Sequence, residues 1–259
     1  MKGRFAGRAA GVVAPLAWGA IVLFAWERFV VWRHIKPYLL PKPSRIWERI
    51  TANPHGLWAT ATVTGTNALI GLVIGAALGL AVALLAQRYR WIRHVLAPLS
   101  AALNTMPIVA LGPVFYNLFG ATSDVSRRVV VVLVVFFPVF VNVLKGLTQV
   151  DPVHEELMRS YAASDGAFLR RVRVPNALPY LLTGLRLAAS LSVISAVVVE
   201  YFGGPQNGLG SRTASAMKQS LTANAWSYIA AACLLGLLFF CAALLLERVM
   251  MPWQARRAR

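Results

Sequence analysis

WATATVTGTNALIGLVIGAALGLAVALLA, residues 58–86, runs for 29 positions without one ionisable side chain. As an α-helix it would be about 44 Å long, more than the roughly 30 Å of hydrocarbon in a bilayer. It has no charged face to turn to water, so it reads as a membrane span. Gly71, Gly75 and Gly79 form one stripe along it, where missing side chains let another helix come close. Apolar runs on either side extend the pattern to six spans, near 10–32, 58–86, 92–119, 127–147, 179–202 and 226–250. The predicted fold class is all-α, a polytopic membrane bundle of six transmembrane helices, with residues 1–259 forming one transmembrane domain.

Composition agrees. The chain is 58% hydrophobic and 14% charged, whereas soluble domains are about half apolar and a quarter charged. Its net charge of +17 comes from 26 Lys and Arg placed in short gaps between apolar runs, with no basic domain to present them to nucleic acid. The expected partner of that charge is the anionic lipid bilayer. Lys2, Arg4 and Arg8 precede the first apolar run, which is long for a signal-peptide core and ends at no small-residue cleavage site, so a retained span is expected. With termini and even loops inside, 16 of the 26 cations lie inside, although Arg33, Lys36, Lys42, Arg45 and Arg49 of the first outer loop run against that balance. Both termini are expected in the cytoplasm. Ile46, Trp47 and Ile50 can share one face of a short interfacial helix after Pro41-Lys42-Pro43-Ser44.

The third span holds Pro98, Pro107, Gly112 and Pro113, so a kinked or broken helix is expected. Such a break is tolerated at membrane depth where protein or a water-lined cavity satisfies the freed backbone. Both a structural kink and a pathway lining fit, and Asn104, Met106 and Pro107 are the pathway candidates there. Cys233 and Cys241 lie about 12 Å apart along one helix, too far for a disulfide, and read as small packing residues.

The chemistry of an enzyme is missing. No Gly-Lys dipeptide exists, so no Walker loop binds ATP on this chain. His154-Glu155 opens like a zinc-protease helix, but Met158 stands where the second histidine belongs. No cofactor and no metal are expected on the chain. Ionisable residues within spans are few: Glu27 and Arg28 near the end of the first and Glu200 near the end of the fifth, each able to snorkel or pair locally. A proton-driven carrier needs more of them, and a lipid-modifying enzyme needs a clustered nucleophile, base or metal set.

Residues 151–179, DPVHEELMRSYAASDGAFLRRVRVPNALP, stand apart. The spacing predicts a helix over 153–162, a break at Ser164-Asp165-Gly166 and a second helix ending before Pro175. Leu157, Tyr161, Phe168, Leu169 and Val172 give an apolar side, Glu155, Arg159, Arg170, Arg171 and Arg173 a polar one. A loop with its own amphipathic helices offers a docking surface rather than a mere connection.

This loop resembles the Glu-Ala-Ala loop of the permeases of bacterial ATP-binding-cassette importers. Glu156, Ala162, Val172 and Val174-Pro175 fall at its acidic, glycine, branched-apolar and Leu-Pro positions, with Leu157 and Met158 replacing its two alanines. Phe136-Phe137-Pro138, Asn142, Gly146-Leu147, Val150-Asp151-Pro152, Pro179-Tyr180, Gly184-Leu185-Arg186 and Glu200 follow the family's order, and look like its nitrate, sulfonate, taurine and thiamine-precursor branch. The resemblance implies a type I importer permease forming the translocation pathway for a small solute of that kind, or a flavin-like one. The alternative is an ATP-independent secondary carrier or channel. It further implies a homodimer in the bacterial inner membrane, an extracytoplasmic solute-binding protein, and a cytoplasmic ATP-binding subunit that holds ATP and Mg. Its coupling loop would include Glu155, Glu156, Ala162, Arg170, Arg171, Val172 and Pro175, and Glu200 would be a further pathway candidate.

Overall fold

The computed structural model describes residues 2–89, 91–96, 98, 108–120 and 122–252. The elements among them are helices: α1 Lys2–Trp32, α2 Pro43–Ala52, α3 Pro54–Arg88, α4 Ile108–Phe119, α5 Asp124–Thr148, α6 Pro152–Ser160, α7 Asp165–Phe168, a π turn Leu169–Arg173, α8 Val174–Phe202, α9 Leu209–Lys218 and α10 Thr222–Met250. Five of the six predicted spans coincide with helices of 25 to 35 residues, α1, α3, α5, α8 and α10. The sixth, 92–119, is described in pieces, helical over 91–96 and again in α4. At 12 residues α4 is about 18 Å long and does not cross a bilayer alone. Asn104, Met106 and Pro107 lie outside the described residues.

Local sequence sets the helix starts. Pro54 opens α3 behind Asn53, whose side chain accepts from the Gly56 amide at 2.9 Å. Ser123 caps α5 through the Val125 amide at 3.1 Å. One predicted stop fails. Pro175 does not end the second loop helix, because the backbone widens into the π turn just before it and continues. Residues Asp165–Phe202 therefore form one 38-residue helix, about 57 Å long.

The core is a three-helix contact of α3, α5 and α8. Ala68, Leu72 and Ala83, Val131, Val135, Val139 and Phe140, and Ala188, Val193 and Ala196 are buried within it. The glycine stripe seats α3 on α5. A Cβ at Gly75 would lie 2.7 Å from the Val132 carbonyl and one at Gly79 2.9 Å from that of Phe136. Gly146 and Gly184 do the same between α5 and α8, where a Cβ at Gly146 would come within 2.8 Å of Ala177 and Tyr180. The outer faces stay apolar and exposed, with Leu69 and Val73 on α3 and Leu234, Leu237 and Leu238 on α10, as expected where lipid is the solvent.

α4, α9 and α10 pack against this core, and α1 and α2 lie outside it. Trp26 of α1 meets Trp226 of α10 edge to face at 5.1 Å. Glu27 accepts from the Ser44 amide and hydroxyl at 3.1 and 2.8 Å, so it pairs locally and holds the start of α2. On α2, Ile46 is buried and Ile50 half-buried, while Trp47 is exposed and does not share their face. Cys233 and Cys241 are both exposed on α10, so they are surface residues and not the packing residues expected.

Candidate functional site

The segment between α5 and α8 folds as two capped helices. Asp151 accepts from the Val153 amide at 2.9 Å to start α6, and Ser164 accepts from Ala167 at 3.3 Å to start α7. Asn176 donates to the carbonyls of Gly146 and Gln149 at 2.7 and 3.0 Å, satisfying the open end of α5 and clamping the two loop ends together. Phe168 is buried beneath the Arg173 guanidinium, which lies 4.6 Å from its ring centre. The second half of the loop is thus anchored to the bundle.

The first half is not. No residue of α6 is buried, yet Val153, Leu157 and Tyr161, four residues apart in turn and so on one stripe, are 67%, 51% and 75% exposed. Glu155 is taken up by Arg159 at 2.7 Å, and Glu156, Arg170 and Arg171 are exposed on the surface. Val172 is half-buried and Pro175 exposed. An apolar stripe flanked by charges on a helix held off the bundle fits a partner's groove.

Ala162 has φ +49°, the left-handed conformation that glycine adopts freely. It closes α6 in a Schellman motif: its amide reaches the Arg159 carbonyl at 2.9 Å and the next amide, Ala163, reaches Met158 at 3.0 Å. The loop pattern calls for glycine at this position because the chain turns left-handed there. Alanine costs about 1–2 kcal/mol in that conformation. Ala162→Gly is therefore expected to stabilise the turn by about 1 kcal/mol and slow exchange of the Ala163 amide about fivefold, read by hydrogen exchange.

At the other end of the bundle lies a second polar cluster. Glu200, near the end of α8, and Arg127, in the first turn of α5, are both 0% exposed and face each other at 3.7 Å. Glu200 therefore pairs within the protein and does not reach out to headgroups. Its Oε2 accepts from the Thr64 hydroxyl of α3 at 2.9 Å and from the Gly210 amide of α9 at 3.0 Å, and the Leu209 amide donates to Thr64 at 2.9 Å. A carboxylate thus sits at the N-terminus of α9, where the helix dipole favours negative charge. Arg127 donates to Asp124 at 3.2 Å, to Asn207 at 3.0 Å and to the Pro205 carbonyl. Glycines make the room, since a Cβ at Gly208 would strike the Glu200 carboxyl and one at Gly210 the Val197 carbonyl.

Sequence reasoning named Glu200 but missed Arg127, Thr64 and Asn207. The available signals were Asp124 three residues before Arg127 at the head of a span, and the glycine-rich run after Glu200. The structure places Glu155, Glu156 and Ala162 on the free half of the loop and Arg170, Arg171, Val172 and Pro175 on the half continuous with α8. It sets Glu200 apart from them, 26 residues and about 39 Å along the helix from Val174.

Comparison with known proteins places this architecture. Residues 71–250 match the family described as binding-protein-dependent transport system inner membrane component. A formylaminopyrimidine transport permease of Halalkalibacterium halodurans is 36% identical over 86% of this chain and 88% of its own. The taurine transport permease of Escherichia coli K12 is 27% identical over 90% and 87%, and a riboflavin transport permease of Chloroflexus aurantiacus 28% identical over 91% and 88%. The crystal structure of an amino acid ABC transporter superposes with a TM-score of 0.64 at 17% identity, covering 78% of this chain and 97% of that one, which speaks for the fold. Matched by the family model over residues 71–250 and by relatives along most of its length, the chain belongs to the binding-protein-dependent transport system inner membrane components, the permease subunits of ATP-binding-cassette importers.

Proposed function

We propose that this permease is driven through α6 and α7, which a cytoplasmic ATP-binding subunit grips, and that two copies of the chain enclose the pathway as one transmembrane domain each. The exposed stripe of Val153, Leu157 and Tyr161 is the observation that carries this reading. ATP and Mg bind on the partner, and closure of two ATPase subunits draws the two loops together. That motion exchanges an inward-facing cavity for an outward-facing one, and the coupling energy is the difference in ATP affinity between the two states. The termini and the loop face the cytoplasm, and a solute-binding protein delivers cargo at the opposite face.

The cargo class is a small polar solute of the kind the relatives are named for, such as a sulfonate or a pyrimidine precursor. Ligand screening of the cognate binding protein by thermal shift identifies it, since a bound ligand raises the melting temperature.

Leu157→Asp combined with Tyr161→Asp places two charges in the gripped stripe. The ATPase is then expected to be lost on purification while the permease remains a single species by size exclusion. Retention of the ATPase overturns the grip through this stripe, and transport that survives removal of the ATPase overturns the reading in favour of an ATP-independent carrier.

A further inference from the structure

Both helices that flank the loop end at the same buried ion pair. α5 enters the loop at Thr148 and carries Arg127 in its first turn, 21 residues and about 32 Å away. The Asp165–Phe202 helix starts inside the loop and carries Glu200 35 residues later, about 52 Å along its axis. Between Gly146 and the ion pair the two helices meet through valine, alanine, phenylalanine and glycine faces, and the hydrogen bond that joins them lies at the loop end, from Asn176 to the Gly146 carbonyl. Apolar side chains set no orientation by bonding, so along this stretch it is the close approach at Gly146 and Gly184 that keeps the helices in register.

The far end is different. Separating Arg127 from Glu200 would leave Glu200 without a counter-ion in a region from which water is excluded, while Arg127 keeps Asp124 on its own helix, so the two helix ends are fastened where they would otherwise be free. The fastening reaches further than the pair. Thr64 brings in α3, the Gly210 amide brings in α9, and Asn207 with the Pro205 carbonyl brings in the segment before α9. Gly208 and Gly210 admit no larger residue against the pair, so α9 is seated in one position.

We infer that the Arg127–Glu200 pair is a brace that joins α5, the Asp165–Phe202 helix and α9 into one rigid unit, so that movement of the loop at one face of the membrane reaches residues 203–221 at the other. Arg127, Glu200 and Thr64 are positioning residues in this account, acting on the pathway through α9. The inference rests on the loop being driven by the ATPase, and its test separates the two claims.

Hydrogen–deuterium exchange on the importer, purified intact with its ATPase, compares the resting complex with one trapped by ATP, Mg and vanadate. In the native complex, trapping is expected to alter exchange both in residues 149–164 and in residues 203–221. In Glu200→Gln the loop change persists, while the change at 203–221 falls about fivefold or more. Thr64→Val retains both charges and the Gly210 bond and removes the hydroxyl through which α3 holds both Glu200 and the Leu209 amide at the start of α9. It is expected to give the same split, and it decides the matter alone if Glu200→Gln does not assemble. A general loss of stability would alter both regions together and would not produce the split. Undiminished changes at 203–221 in the variants overturn the brace, as does loss of the loop change in a variant that still holds its ATPase. No change in either region of the native complex rejects the driven loop itself.

Discussion

Arg127→Met is expected to lower the stability of the permease by about 3–5 kcal/mol, the cost of leaving Glu200 buried without its counter-ion. The guanidinium lies fully inside, with Asp124, Asn207 and the Pro205 carbonyl around it, so no water replaces it when it is removed. Methionine fills much of the space but offers no donor. Removing the second charge as well, in Arg127→Met with Glu200→Gln, is expected to recover most of the loss, because what destabilises the single variant is the stranded carboxylate. Reversible unfolding by SDS in mixed micelles measures all three proteins. If the double variant loses the sum of the two single losses, the residues act independently and the pair is not the unit described.

Gly75→Leu is the second large effect. A Cβ there already lies 2.7 Å from the Val132 carbonyl and 2.8 Å from a Val135 methyl, and three further carbons have nowhere to go. α3 must lift from α5 along the whole stripe, at a cost of about 1–3 kcal/mol or more for overpacking. The core of Ala68, Leu72 and Ala83 against Val131, Val135 and Val139 opens with it. Gly19→Leu on α1 is the control, since a Cβ at Gly19 meets nothing within 4 Å and the change should be neutral within about 0.5 kcal/mol. Thermal aggregation in detergent, followed by size exclusion, should separate the two variants cleanly.

What could be read from the chain beforehand was whatever is encoded locally. The spans follow from runs of apolar residues, and the loop follows from Asp151-Pro152 and Ser164, capping signals that need only the next few residues to act. The glycine stripe declared a close helix contact without declaring its partner, which proved to be α5. Two misreadings have physical causes. Pro175 has the look of a helix stop, but a π turn upstream absorbs its missing amide and its ring. The periodicity of α2 sets Trp47 beside Ile46 and Ile50, while the packing of the helix buries only the isoleucine side.

The brace was beyond such reading. Arg127 and Glu200 are 73 residues apart, and each alone resembles a residue close enough to the end of a span to reach the headgroups. Only the antiparallel packing of α5 on α8 brings them to one depth. Ala162 is the reverse case: the loop pattern sets it at a glycine position, and its φ of +49° gives the reason for glycine there.

Sidedness tests the account most directly, because every step of it requires α6 to face the compartment that holds ATP. A single cysteine at Ser160, in a protein with Cys233→Ser and Cys241→Ser, is exposed and open to a membrane-impermeant maleimide. The account predicts labelling in inside-out vesicles and none in intact spheroplasts. Labelling of intact spheroplasts would place the loop outside the cell, where no ATPase could grip it.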